Sequence, residues 1–293
     1  HRVAYMKPPY NTHVFEMSWE VCNKIGGIHT VIYSKLHEAM RAFSHYTLIG
    51  VANEHTLTQI EEETPPAGIR EAAITLAGKG IKLHYGTERT APHPKVILID
   101  HRGYTEHTNA IKGTLWDEYG IDSLDSAWHD FDEAMLWAWC GGLTVSTIAK
   151  HLRIPVLLHA HEWMAGISIL AVKQEKHPSV ATVFTTHATM LGRALSGHGE
   201  NLYQIEEDLD AKEFSYRIGV HTKHQSEQAI AKHTDCFTTV SDITAKEATY
   251  FYGIKPDVLL YNGFDNRGIE DIGKLNARYF RMRESCNAFL TSY

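Results

Sequence analysis

Cysteine is scarce and scattered: Cys22, Cys140, Cys236 and Cys286 form no C-x-x-C pair. That spacing excludes a disulfide framework and fits reduced, mostly buried thiols in a cytoplasmic protein. Lysine and arginine nowhere cluster densely enough to track a phosphate backbone, and the net charge is −7, so nucleic acid is not an expected partner. Long apolar runs are missing too. The nearest to the ~20 residues a membrane span requires is 134–149, which Gly141, Gly142, Ser146 and Thr147 interrupt. It reads as a buried helix, and no membrane partner is expected. The glycine fingerprint G-x-G-x-x-G does not occur, which removes the main support for a nicotinamide or flavin cofactor. The opening residues do not read as a secretory leader, and His1 in place of a Met reads as a trimmed start.

What remains is a 293-residue chain, 43% hydrophobic and 22% charged, the composition of a globular protein with a sizeable core. Short apolar runs at 13–17, 46–51, 82–85, 96–100, 155–158, 180–186, 236–240 and 258–261 read as strands. Between several of them, helical spacing covers 28–42, 126–151, 165–176, 216–232 and 243–252. Strands apolar on both faces and separated by helices predict an α/β fold with a doubly wound, mostly parallel sheet, Rossmann-like in plan. Residues 53–125, with Glu61-Glu62-Glu63 and prolines at Pro65, Pro66, Pro92 and Pro94, read as an irregular insertion within a domain spanning 1–265. A last segment, 266–293, has apolar residues at Ile269, Ile272, Leu275, Tyr279, Met282 and Phe289, the spacing of an amphipathic helix.

Chemistry gathers behind the strands. In an open α/β sheet ligands bind beyond the carboxyl ends of the strands. There the sequence places Lys24-Ile25-Gly26-Gly27, His159-Ala160-His161-Glu162-Trp163 with Gly166, and Thr185-Thr186-His187-Ala188-Thr189 with Gly192-Arg193. A glycine pair that opens a helix lets a ligand approach the backbone and sets free N–H groups on an anion; a tight turn with a solvated Lys24 is the plainer alternative. His159, His161 and Glu162 are metal-ligand types, but their spacing is not the helical H-E-x-x-H, and we expect the two histidines on opposite faces of the strand. His159 reads as a core histidine. Hydroxyls, His187 and Arg193 suit a many-hydroxyl or anionic ligand, against the alternative of a helix cap at Thr186 or Thr189 with a surface arginine. Ser241 or Asp242 reads as a cap, and Asn262-Gly263 as a turn at another strand end.

These pieces resemble one family closely, the glycogen synthases of the animal, fungal and related bacterial type. The residues that carry the resemblance are Phe15-Glu16, Glu20-Val21, Asn23-Lys24-Ile25-Gly26-Gly27-Ile28, Leu115-Trp116, Tyr119-Gly120-Ile121, and His159 through Gly166. To these add Phe184-Thr185-Thr186-His187-Ala188-Thr189-Met190-Leu191-Gly192-Arg193, then 237–244 and Asn262-Gly263. The resemblance implies the N-terminal, acceptor-side half of a retaining GT-B glucosyltransferase. Such an enzyme moves glucose from UDP-glucose or ADP-glucose to the 4-hydroxyl at the non-reducing end of an α-1,4-glucan, with no cofactor and no metal. It implies Lys24, Gly26 and Gly27 at the donor phosphates and acceptor end, His161 at the donor glucose near the reacting carbon, Asn262 near the same sugar, and Arg193 in the cleft. The family's nucleotide-binding C-terminal domain, with its Arg and Lys pair and Glu-rich motif, is not visible. The isolated chain is therefore expected to be inactive, its partners being the nucleotide sugar, the glucan and that missing domain, with a homo-oligomer left open. A sucrose- or trehalose-type GT-B glucosyltransferase is the first alternative. A non-catalytic glucan-binding module using Trp116, Tyr119 and Trp163 is the second.

Overall fold

The computed structural model describes residues 11–176, 179–197, 210–263 and 272–291. Its strands are β1 (His13–Met17), β2 (His45–Val51), β3 (Ile60–Glu62), β4 (Lys82–Glu88), β5 (Lys95–Asp100), β6 (Val156–His161), β7 (Val180–Thr186), β8 (Cys236–Thr239) and β9 (Val258–Leu259). They form one sheet in the order β3-β4-β5-β2-β1-β6-β7-β8-β9. All neighbours from β5 to β9 pair in parallel, and only β3 with β4 and β4 with β5 run antiparallel. The helices are α1 (Gly27–Ala42), α2 (Glu54–Thr58), α3 (Ala67–Ala77), α4 (Thr108–Tyr119), α5 (Glu133–His151), α6 (Glu162–Glu175), α7 (Met190–Gly197), α8 (Ala211–Arg217), α9 (His221–His233), α10 (Asp242–Tyr252) and α11 (Ile272–Thr291). The fold is the expected α/β sheet, wound on both faces.

Alternation along β1 shows why both faces are covered. Phe15 and Met17 point into the larger core with Trp137 of α5 and Phe184 of β7. Val14, from the other face, joins Ile32 and Leu36 of α1. Each buried side chain of this size contributes roughly 1.5–3 kcal/mol over exposure, so β1 is anchored from both sides. Against β6 the register pairs Val14 with Leu157 and Glu16 with His159. Leu157 packs on the α1 side, and residues two apart in a strand share a face, so His159 and His161 follow it. That overturns the expectation of opposite faces.

Residues 53–125 hold α2, β3, α3, β4, β5 and α4, and β3, β4 and β5 belong to the common sheet. The expected irregularity is thus replaced by a regular flank, whose antiparallel edge strands are largely exposed or half-buried. The expected helix at 216–232 divides into α8 and α9 because Gly219 takes φ +71, a left-handed turn that glycine adopts freely. At 126–151 the α-helix begins only at Glu133, after a π-turn over Trp128–Asp132. Ser241 caps α10 by accepting the N–H of Thr244 at 3.1 Å. All four cysteines are free; Cys22 and Cys140 are buried, Cys236 is half-buried and Cys286 is exposed.

The unit that holds the sheet ends at Asn262, and a second comprises 263–293. Within the second, α11 carries Leu275, Tyr279, Met282 and Phe289, all exposed; Ile269 lies outside the described residues. Among the described residues no helix is long and apolar enough to cross a membrane.

Candidate active site

The chain runs from β1 through β2 to β5 on one side, then returns through α5 to place β6 on the other side of β1. This reversal makes β1/β6 the switch point, where the two connections diverge and leave a crevice beyond the strand ends. Glu16 and His161 meet there. His161 Nε2 lies 2.6 Å from Glu16 Oε1, and Lys35 Nζ of α1 lies 2.6 Å from the same oxygen. His161 Nδ1 lies 3.0 Å from His187 Nε2. Beside them His159 Nε2 meets Thr185 Oγ1 at 2.7 Å, and Thr185 Oγ1 meets Thr238 Oγ1 at 2.6 Å. The result is a polar stripe across β1, β6, β7 and β8.

Proton positions follow from the partners. A carboxylate only accepts, so Nε2 of His161 donates to Glu16, and Nδ1 accepts from the Nε2–H of His187. This assignment needs neutral rings. Burial, then the charge of Lys35 and the neighbouring His187 ring, hold His161 well below its ordinary pKa. Burial and then His161 do the same to His159, and His187 is pushed down to about 4, mainly by burial. Glu16, 1% exposed, keeps Lys35 as its full positive partner. Glu16, His159 and His161 also bring ligand atoms within 4.8 Å of one another, a donor set of a kind that transition metals take. Lys35 already supplies positive charge at the shared oxygen.

The sites read from the sequence fall at one end of the sheet. The loop with Lys24, Gly26 and Gly27 follows β1, His161 ends β6, Arg193 lies in α7 after β7, and Asn262 follows β9. Since β1, β6, β7, β8 and β9 are parallel neighbours, their carboxyl ends share an edge. Direct contacts join only some of these groups. Arg193 Nη2 stands 3.7 Å from Glu162 Oε1, and that oxygen accepts the N–H of His187 at 2.7 Å, which ties Arg193 to the histidine relay. Lys24, Gly26, Gly27 and Asn262 are exposed.

The group that closely approaches the glycine pair is Glu20. Its Oε2 accepts the N–H of His29 in the first turn of α1 at 2.8 Å, and a Cβ on Gly26 would overlap its Oε1. Gly27 has open space where a Cβ would stand. A carboxylate therefore already holds the anion position at the α1 N-terminus. Thr189 receives the N–H of Gly192 at 2.9 Å, so the cap expected at Thr186 or Thr189 is Thr189. Trp163 is buried and stacks on Phe131, centroids 5.3 Å apart, so it cannot be a platform for a glycan. Trp116 is 47% exposed. Glu16 sat in the recognised Phe15-Glu16 pair, but Lys35, Glu227 and Glu247 carried no sequence motif.

Buried neutral histidines set a pH dependence. His13, His187 and His224 are each lowered to about 4, chiefly by burial. The unfolded chain takes up these protons near pH 6.5, the folded chain only near 4. The stability from keeping them neutral is therefore complete above about 6.5 and is lost as pH falls toward 4. Buried Glu162, Glu227 and Glu247, raised by desolvation, act in the opposite sense. Comparison with a variant isolates one group. Thermal denaturation of His224→Gln should show a shallower loss between pH 6.5 and 4 than the parent, the gap growing to at most ~3 kcal/mol. Parallel curves would show that His224 does not titrate this way.

Comparison with known proteins matches residues 16–292 to the Glycogen synthase family model. Glycogen [starch] synthase isoform 2 of Saccharomyces cerevisiae is 32% identical over 97% of this chain and 42% of its own length. The Dictyostelium discoideum glycogen [starch] synthase is 31% identical over 93% of this chain and 31% of its length. The liver glycogen [starch] synthase of Rattus norvegicus is 32% identical over 91% and 38%. The chain thus spans about a third to two fifths of these relatives. Among solved structures, the catalytic domain of starch synthase IV from Arabidopsis thaliana, bound to ADP and acarbose, covers 87% of this chain and 52% of that one at TM-score 0.46 and 14% identity.

Proposed function

Because this chain belongs to the glycogen synthase family, we propose that it supplies the acceptor-side half of a retaining GT-B glucosyltransferase, completed by a second, nucleotide-binding domain. The reaction transfers glucose from UDP-glucose or ADP-glucose to the 4-hydroxyl of an α-1,4-glucan: the bond from the anomeric carbon to the diphosphate oxygen breaks and one to the acceptor oxygen forms. The observation that carries the reading is the buried relay Glu16–His161–His187 at the β1/β6 switch point, inside the most family-specific stretches of the sequence. A glucan-binding module has less support, since Trp163 is buried.

In this reading His161 faces the donor glucose near the reacting carbon. Both its nitrogens are bonded within the protein, so a sugar hydroxyl would replace His187, whose Nε2–H would turn to the ligand. Lys24, Gly26 and Gly27 take the donor phosphates and acceptor end. An anion at the α1 N-terminus would have to displace Glu20 from the N–H of His29, which makes Glu20 a gatekeeper for charge there. Arg193 and Asn262 line the cleft. Positive charge for the departing diphosphate comes from side chains and helix N-termini, so we propose an enzyme that needs neither metal nor cofactor; the free, scattered cysteines support a cytoplasmic location.

The test is glucan extension from labelled UDP-glucose. We expect the full-length protein to extend glycogen and to keep its rate in excess EDTA, the 293-residue chain alone to show none, and supply of the remaining half to restore it. Robust turnover by the isolated chain, or a divalent-ion requirement, would refute the corresponding part.

A further inference from the structure

The segment that carries His187 is held by carboxylates from three other elements. Glu162 Oε1, at the start of α6, accepts the N–H of His187 at 2.7 Å and of Ala188 at 3.2 Å. Glu247 of α10 accepts the Thr189 hydroxyl at 2.9 Å, and Glu227 of α9 accepts the N–H of Met190 at 3.0 Å and the Tyr252 hydroxyl at 2.9 Å. All three acids are buried, where an unpaired polar group is costly. They are therefore committed to this segment. Glu162 differs from the other two in a way that points to function. It directly follows His161, it approaches Arg193, and its backbone sits at φ +62, a left-handed conformation that a non-glycine residue keeps only when its surroundings over-determine it.

One carboxylate thus fastens the β7 loop to the end of β6 at the point where the two histidines meet. With His187 held at its backbone, the ring nitrogen stands 3.0 Å from Nδ1 of His161. We propose that Glu162 is a positioning residue for the transfer reaction: by accepting the backbone N–H groups of His187 and Ala188 it holds the His187 ring beside His161, from where its Nε2–H turns to the sugar, and it orients Arg193 toward the cleft. The inference rests on the glucosyltransferase reading above. Glu227 and Glu247 support the same loop but reach neither His187 nor its ring.

The test uses the full-length protein and compares Glu162→Ala, Glu162→Asp and Glu162→Gln. The glutamine amide oxygen can still accept both N–H groups, whereas aspartate is one methylene too short. We expect kcat to fall at least ~10-fold in the alanine and aspartate variants, with KM for the glucan changed by less than about twofold, and glutamine to recover most of kcat. A released His187 should titrate nearer the ordinary histidine range, so the acid limb of the kcat profile should move to higher pH in the aspartate variant. Melts recorded across the same pH range separate that shift from acid unfolding of a less stable variant. Reactivity of His187 toward diethylpyrocarbonate, read by peptide mass spectrometry, should rise at least ~5-fold in the aspartate variant, a result independent of turnover. Should the alanine variant fail to fold, aspartate and glutamine decide. Full kcat with an unshifted acid limb in the aspartate variant, or unchanged His187 reactivity, would overturn the inference. A parent protein that transfers no glucose would refute the glucosyltransferase reading instead, with the reactivity measurement still deciding the position of His187.

Discussion

His161→Ala in the full-length protein is expected to lower kcat by ~10²-fold or more, the scale on which a positioned proton-transfer or charge-stabilising group contributes. The side chain is 1% exposed and links Glu16 on one side to His187 on the other. Its removal leaves His187 without its acceptor and Glu16 with Lys35 as its remaining close partner. The side chains at the crevice would then lose their common alignment, and KM for the glucan should change far less than kcat. Because the ring is buried and bonded at both nitrogens, some loss of stability, of ~1–3 kcal/mol, accompanies the substitution. Thermal melts measured beside the kinetics separate the two effects. A folded His161→Ala enzyme with the parent's kcat would reduce His161 to a structural histidine and remove the main support for the proposed reaction.

The relay was only partly legible in the sequence. Apolar runs buried on both faces announced β1, β6 and β7, but β6 continues to His161 instead of stopping at residue 158. Strand pairing uses the backbone, and His159, Ala160 and His161 still find Val183, Phe184 and Thr185 across the ladder. The strand's period of two should have placed both histidines on the face shared by Glu16. Glu16 itself offered a physical signal, a carboxylate inside an apolar strand, which must be paired when buried. Lys35 offered none, since a lysine on an amphipathic helix normally reads as solvated. Glu227 and Glu247 are likewise ordinary helical glutamates until α9 and α10 fold against the β7 loop. Within 53–125 the apolar runs at 82–85 and 96–100 marked β4 and β5, but β3 escaped because it is three residues long and largely exposed, and the antiparallel pairing of β3, β4 and β5 leaves no continuous apolar run to show that the region extends the sheet.

The largest structural effect should come from a glycine that the sequence presented only as an interruption. Gly142 lies in α5, which packs extensively against α6. A Cβ at this position would overlap the carbonyl oxygen of Ser168 and come within 2.6 Å of Ala171 Cβ. Both obstacles are rigid parts of the neighbouring helix, so Gly142→Ala must force α5 and α6 apart and open gaps around Trp137, Leu170 and other core side chains. Overpacking of this kind typically costs ~1–3 kcal/mol and more when backbone must move, outweighing the ~1 kcal/mol that alanine gains over glycine inside a helix. Gly113 in α4 provides the control, because nothing lies within 4 Å of a Cβ built there, and Gly113→Ala should stabilise by up to ~1 kcal/mol. Urea denaturation of the two variants should move in opposite directions. A Gly142→Ala protein as stable as the parent would mean that α5 and α6 do not approach as closely as described, and with them the platform beneath β1 and β6 that presents Glu16 and His161 at the crevice.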